Sequence, residues 1–258
     1  MLDLQIVLML MLLCVGLLGF ACLHKLRRIH VISIEAMNAL VNIRAESEQV
    51  FAQIQALMSL ERRLSLPRPL PPLRGWAASP DMLLRLADHV LENPLSCVLE
   101  CSSGSSTLVI ARCLQLRGHG HVYSLEHDPR YAQQTRERLR QYGLDEWATV
   151  LDAPLRPQAQ GSDWYSLDAL PSNLPPVDLL VIDGPPVSTG PHARYAAVPR
   201  LLTRLAPDCS IWLDDAARDD EQQILKRWLS EFPEWQQEQV ACEKGLCILR
   251  RVDHRKET

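Results

Sequence analysis

Apolar and polar positions divide the chain into three stretches of different periodicity. Residues 4–23 form an uncharged run of 20 whose only strongly polar member is Gln5. At about 1.5 Å of rise per residue the run makes roughly 30 Å of helix, the thickness of a bilayer's hydrocarbon core, and it predicts a membrane span. Residues 29–64 contain no Gly or Pro. Ala36, Leu40, Ile43, Val50, Ile54, Leu57 and Leu64 recur there at steps of three and four, with Ser47 and Glu61 as polar interruptions. This helical stripe reads equally as a coiled-coil-like stalk, able to pair two copies of the chain, or as a face packed on the chain's own folded domain. Residues 65–75, SLPRPLPPLRG, carry four prolines that lack amide donors and favour an extended spacer. The predicted organisation is therefore an anchor with its basic flank over 1–28, a stalk over 29–64, a linker over 65–75 and a folded domain over 76–258.

Beyond the linker the periodicity alternates between short apolar runs and helical stripes. Strands are expected at 97–101, 121–126, 148–152, 177–183, 209–213, 237–241 and 245–249. Helices are expected at 80–92, 106–116, 130–142, 193–205 and 221–232, the first opened by Ser79 as N-cap, Pro80 at the first helical position and Asp81 behind it. This alternation predicts an α/β fold: a Rossmann-like, seven-stranded, mostly parallel sheet with helices on both faces.

Charge places the pieces. Only Asp3 precedes the apolar run, whereas Lys25, Arg27 and Arg28 follow it. A cleaved signal peptide has the opposite arrangement, so the run reads as an uncleaved single-pass anchor in the inner membrane with everything after Lys25 in the cytoplasm. Residues 1–75 hold 8 Lys/Arg and 5 Asp/Glu, net +3, which leaves 19 basic and 26 acidic residues, net −7, in the rest. The basic part suits an anionic lipid surface, and an acidic domain without a basic stripe excludes nucleic acid as a partner. Eight cysteines with no CxxC pair read as buried apolar thiols in a reducing compartment.

In an open α/β sheet, ligands bind beyond the carboxyl ends of the strands. The first four predicted strands close on or beside Glu100, Glu126, Asp152 and Asp183. After the first comes CSSGSST, residues 101–107, a turn of small residues that leads into a helix. Gly104 lets backbone approach a ligand closely, and a helix N-terminus behind such a turn suits a nucleotide-like group. With Gly104 alone, the turn lacks the three glycines of the dinucleotide fingerprint, and no GK[ST] phosphate loop occurs.

VLECSSGSSTLVIA resembles the first motif of class I S-adenosylmethionine-dependent methyltransferases, SLEHDPRYAQQTRERL their second, VLDAPL their third and VDLLVIDGPP the motif on their fourth strand. The four occur in order over residues 76–252, closest to bacterial O-methyltransferase-like members with a serine-rich first motif. The resemblance implies S-adenosylmethionine as cofactor. It makes Glu100 and Gly104 the wall around the methionine portion, Glu126 the anchor of the ribose hydroxyls and Asp152 the adenine-side contact. Ser102 and Ser106 stand in the cofactor turn where many members have glycine.

For the chemistry, Asp183 is the expected catalytic or positioning carboxylate, and His192, in the Gly/Pro-rich segment after the fourth strand, is a candidate base beside Arg194 as an anchor for an anionic substrate. Asp183, Asp214 and Asp215 close neighbouring strands. This resembles catechol-type O-methyltransferases and implies a magnesium site of three carboxylates, with turn and helix-capping roles as the structural alternative. The acceptor class is a small molecule, saccharide or lipid-linked intermediate at the membrane face. A membrane-tethered interaction protein with a weak or inactive methyltransferase-like domain is the competing function.

Overall fold

The structure is a computed structural model that describes residues 2–73, 75, 77–158 and 161–252. Trp76, expected to open the folded domain, and residues 253–258, expected to close it, lie outside the described residues. The chain divides into two compact units, Met1–Phe51 and Ala52–Thr258.

Helix α1 (Leu2–Leu64) forms the whole of the first unit and opens the second. By length and composition it is long and apolar enough to cross a membrane, with a mean hydropathy of 2.9 in its most apolar window. Leu40, Ile43, Val50 and Ile54 of the predicted stripe are exposed. The end of the helix differs: Leu60 and Leu64 are fully buried in one cluster with Met82, Leu86, Val109 and Leu114, each stabilising the domain by roughly 1.5–3 kcal/mol. The Arg112 guanidinium donates to the carbonyls of Leu64 (2.8 Å) and Ser65 (3.0 Å), capping the helix. The domain thus starts inside the stretch read as stalk. The proline-rich segment is not a free spacer either: Tyr142 Oη donates to the Pro69 carbonyl at 2.5 Å, and Lys244 Nζ to those of Gly75 and Ala77 at 3.0 and 2.8 Å.

The remaining elements follow in chain order: α2 (Pro80–Glu92), β1 (Cys97–Cys101), α3 (Ser105–Arg117), β2 (His121–Glu126), α4 (Pro129–Tyr142), β3 (Ala148–Asp152), β4 (Leu155–Arg156), β5 (Trp164–Tyr165), β6 (Val177–Ile182), α5 (Ala197–Leu201), β7 (Leu205–Asp214), α6 (Asp219–Glu231), β8 (Trp235–Val240) and β9 (Leu246–Arg251). Seven strands make one sheet in the order β3-β2-β1-β6-β7-β9-β8, parallel from β3 to β7, with β9 antiparallel to both its neighbours. Strand alternation feeds two cores. Val98, Val122, Leu179 and Val181 face α2, α3, α4 and the end of α1, whereas Leu99, Leu125, Leu180 and Ile182 face α5, α6 and the β4–β5 hairpin. Five cysteines are buried and all eight are free, as expected of apolar thiols.

Two elements depart from expectation. The helix read over 193–205 shrinks to α5, because Pro199 brings no amide donor and disfavours helical backbone at the residue before it, which confines it to a first turn. Ser79 occupies the N-cap of α2 without a side-chain bond. Instead Asp81 Oδ1 accepts from the Met82 amide at 2.8 Å, and Gln53 Oε1, from the end of α1, accepts from the Asp81 amide at 3.1 Å.

On α2, His89 lies against Trp212 (ring centroids 5.1 Å apart), with Ser210 Oγ 3.2 Å from its Nε2. Burial, and then the charge of Arg250, lower its pKa from 6.5 to about 4. A depressed folded pKa means that stability present above 6.5 is lost as the pH falls towards 4, by up to about 3 kcal/mol. Denaturant unfolding at pH 7 and near pH 4.5 is expected to show this loss, and His89→Gln is expected to shrink it. An unchanged pH dependence in the variant would refute the assignment.

Candidate active site

The carboxyl ends of β1, β2, β6 and β7 meet along one cleft, with a cavity of about 270 Å³. The turn after β1 forms its floor. Ser102 donates its amide to the Leu125 carbonyl (2.9 Å), and the Asp183 amide donates to the Cys101 carbonyl (3.1 Å), so the turn is tied to the strands on both sides. Ser102 has φ 116°, a conformation that favours glycine, and Gly104 has φ 157°. The serine at 102 holds that conformation at a strain of order 1–3 kcal/mol, whereas Ser106 sits in the regular first turn of α3, where no glycine is required. A Cβ built on Gly104 meets nothing within 4 Å, so the turn has an open face. At Gly184 a Cβ would stand 2.3 Å from Tyr165 Oη and 3.2 Å from Ser102 Cβ. Glycine there lets the hairpin's tyrosine close the cleft wall.

Glu100 and Glu126, two strands' closing carboxylates, have opposite surroundings. Glu100 is fully buried beneath the turn. Its Oε2 accepts from Thr107 Oγ1 (2.6 Å) and Ser124 Oγ (2.7 Å), and Thr107 Oγ1 accepts from the Gly104 amide (3.0 Å). Burial raises its pKa, the hydroxyls opposing. It therefore fastens the turn from below and does not line the cleft, because strand alternation aims it at α3. Glu126 does line the cleft. Its Oε2 accepts from Ser103 Oγ and its Oε1 from the Asp128 amide, both at 3.0 Å, with His127 Nδ1 3.1 Å from Oε1, so spare acceptor capacity for a ligand lies on Oε2. Asp152, on the edge strand β3, is mostly exposed and pairs with Arg136 at 2.8 Å, outside the cleft lining.

Across β1 from Glu126 lies an acidic cluster. Asp183, Asp214 and Asp215 bring carboxylate oxygens within 4.8 Å of one another. Neither Asp214, the last residue of β7, nor Asp215 caps the next helix, which starts at Asp219 with Arg218 as its N-cap. Arg194 enters the cluster from the segment after β6, and it is only 4% exposed. Its Nη2 donates to Asp215 Oδ2 (2.8 Å) and to the Asp183 carbonyl (3.0 Å), and lies 3.4 Å from Asp183 Oδ1. Its Nη1 donates to the Asp214 carbonyl (2.8 Å) and lies 3.6 Å from Glu221 Oε1. So Arg194 is an internal clamp, not the free substrate anchor that its loop position suggested. Burial raises the pKa of Asp183 well above the usual carboxylate range, helped by Asp214 and opposed by Arg194. His192 does not join this constellation. Its backbone bends to φ 52°, its amide donates to Asp220 Oδ2 (2.8 Å), and its ring lies 3.1 Å from Gln223 Oε1, outside the cleft lining.

Sequence reasoning missed Ser103 and Tyr165 as cleft residues. Ser103 was hidden among equivalent serines of the CSSGSST run. Tyr165 lies in the long segment before the fourth predicted strand, and only the hairpin brings it over the β1 turn.

A family model described as a methyltransferase domain matches residues 99–216. No curated protein sequence matches significantly. Among solved structures, the chain is similar to the O-methyltransferase TomG from Streptomyces achromogenes, in complex with S-adenosylmethionine (16% identity, 80% of this chain and 96% of that one, TM-score 0.54). It is similar also to the O-methyltransferase from Bacillus cereus in complex with SAH (20%, 77% and 91%, 0.53) and to the SAH-bound methyltransferase PaMTH1 from Podospora anserina (16%, 76% and 88%, 0.52). The match spans β1 to the turn after β7 and with it most of the cleft lining: the folded domain matches a methyltransferase domain and has the fold of class I S-adenosylmethionine-dependent methyltransferases.

Proposed function

We propose that the chain is a membrane-anchored S-adenosylmethionine-dependent methyltransferase acting on an oxygen of a small-molecule, saccharide or lipid-linked acceptor. The observation that carries this reading is the pairing of Glu126 with Asp183 across one cleft, on either side of an open glycine turn. The residues fit the cofactor: Glu126 offers acceptor-only oxygens suited to a ribose diol, and the open face at Gly104 leaves room for a ligand against the backbone. When bound, S-adenosylmethionine supplies an electrophilic methyl group on a sulfonium. The remaining work belongs to the protein. Ser103 orients Glu126, buried Tyr165 keeps water from the cleft wall, and Asp183 takes the proton of the acceptor hydroxyl. The solved neighbours with bound cofactor, of the same fold, support the reading.

The apolar helix and its basic flank support a single-pass inner-membrane location with the domain in the cytoplasm, and the exposed Leu40, Ile43, Val50 and Ile54 support pairing of two stalks. Calorimetry on the detergent-solubilised full chain tests the cofactor reading, and labelled-methyl transfer into membrane and soluble extracts tests turnover. Saturable binding followed by label located on an oxygen of an alkali-stable product supports an O-methyltransferase forming an ether. Absence of binding supports the tethered interaction protein instead.

A further inference from the structure

A three-carboxylate cluster at strand ends is the arrangement that a hard divalent cation would use, and the sequence raised that expectation for Asp183, Asp214 and Asp215. In the fold a positive charge already stands among these oxygens. One nitrogen of Arg194, Nη2, is 2.8 Å from Asp215 Oδ2 and 3.4 Å from Asp183 Oδ1. Magnesium demands near-ideal octahedral geometry with oxygens at about 2.0–2.1 Å. An ion seated between those two oxygens on the side that Arg194 occupies would lie in close contact with a guanidinium nitrogen, although Asp214 Oδ1 and Oδ2 and Asp215 Oδ1 are buried without a hydrogen-bond partner. Arg194 cannot swing aside cheaply: its other nitrogen donates to the Asp214 carbonyl, and the side chain is buried where it borders the cleft. A second guanidinium, Arg218, meets Asp215 Oδ2 at 2.9 Å from the solvent side.

We infer that Arg194 takes the place of the divalent cation, so that this site works without metal, the guanidinium holding Asp183 and Asp215 in register at the acceptor end of the cleft. The inference rests on the methyltransferase reading for its catalytic meaning, but the arrangement of charge is a property of the protein alone. Arg194 is a positioning residue: it fixes the carboxylate that receives the acceptor's proton, and a guanidinium cannot itself give up its proton at physiological pH.

Manganese binding to the full-length protein in detergent, followed by electron paramagnetic resonance and by the shift in thermal midpoint, provides the test. Wild-type protein is expected to bind no Mn2+ at this site and to keep its midpoint when chelator is added. Arg194→Met vacates the cation position, and the variant is expected to acquire one Mn2+ site that raises its midpoint and is lost again on adding Asp183→Asn. Arg194→Lys, which keeps the charge, is expected to remain metal-free. Stoichiometric Mn2+ binding by the wild type that disappears in Asp183→Asn would overturn the inference, as would a folded Arg194→Met variant that gains no site. If Arg194→Met does not fold, the wild-type measurement still decides. Calorimetry with S-adenosylmethionine on the same sample separates the two readings: protein that binds neither ligand removes the enzyme and leaves the charge assignment standing, whereas protein that binds both does the reverse.

Discussion

Asp183→Asn is expected to lower kcat by about 10²–10⁴-fold, the range associated with losing a positioned proton acceptor. The fold is expected to survive. Asparagine keeps the size of the side chain, the backbone carbonyl still accepts from Arg194, and removing one carboxylate from a cluster of Asp183, Asp214, Asp215 and Glu221 relieves repulsion that two guanidiniums only partly offset. The thermal midpoint is therefore expected to equal or exceed that of the wild type, which separates a chemical loss from a structural one. Because burial raises the pKa of Asp183, the acid limb of the wild-type kcat profile is expected above the ordinary carboxylate range. The limb reflects loss of the ionised base, so activity rises with pH through it. A variant with a wild-type rate would remove Asp183 from the reaction.

Glu126→Gln is expected to weaken S-adenosylmethionine binding by about 10–100-fold, the equivalent of losing a hydrogen-bonding interaction with a charged group. Glutamine can still place its carbonyl on the Asp128 amide and its amide group on Ser103 Oγ, since a hydroxyl accepts as readily as it donates. What it loses is the pair of acceptor-only oxygens that a diol requires. The expected result is a calorimetric affinity reduced at unchanged stoichiometry, with an unchanged unfolding midpoint. Glu100→Gln supplies the contrast: that side chain lies beneath the turn, so its replacement is expected to act on stability before affinity. Equal affinities for Glu126→Gln and the wild type would place the ribose elsewhere.

Much of this molecule was legible in the sequence because local rules and tertiary demands agree there. The run CVLEC is buried on every residue, as a central parallel strand must be, and it emerged from the apolar pattern within a residue of its bounds. Gly118 and Gly143, both left-handed, stop α3 and α4 where their stripes end. Glu126 and Asp183 were found because strand-closing carboxylates face the ligand side of such a sheet. Glu100 and Asp152 also close strands, yet one lies under the turn and the other on the open edge. Position in the chain says that a carboxylate ends a strand, whereas burial and strand order say what it meets.

The segment from Gly184 to Leu205 was the least legible. Its composition reads as loop followed by helix, with His192 the attractive chemical group and Arg194 a surface anchor. In the fold Pro199 shortens the helix, His192 turns towards α6, and Arg194 turns inward to four carboxyl-bearing residues supplied by the turn after β6, the end of β7, the turn after it and α6. No spacing rule links residue 194 to residues 183, 214, 215 and 221, because their meeting depends on parallel pairing of β6 with β7 and on the docking of α6.

By itself, the sequence determined the chain order of the main strands and helices, the apolar helix at the front, the glycine turn after β1 and the two carboxylates that line the cleft, because each rests on periodicity or on a residue's intrinsic chemistry over a few positions. Only the tertiary structure decided where the first helix ceases to be exposed and becomes core, which carboxylates see the cleft, and that the acidic cluster encloses a guanidinium. Those outcomes depend on contacts between residues far apart in the chain, and burial makes their electrostatics strong enough to matter.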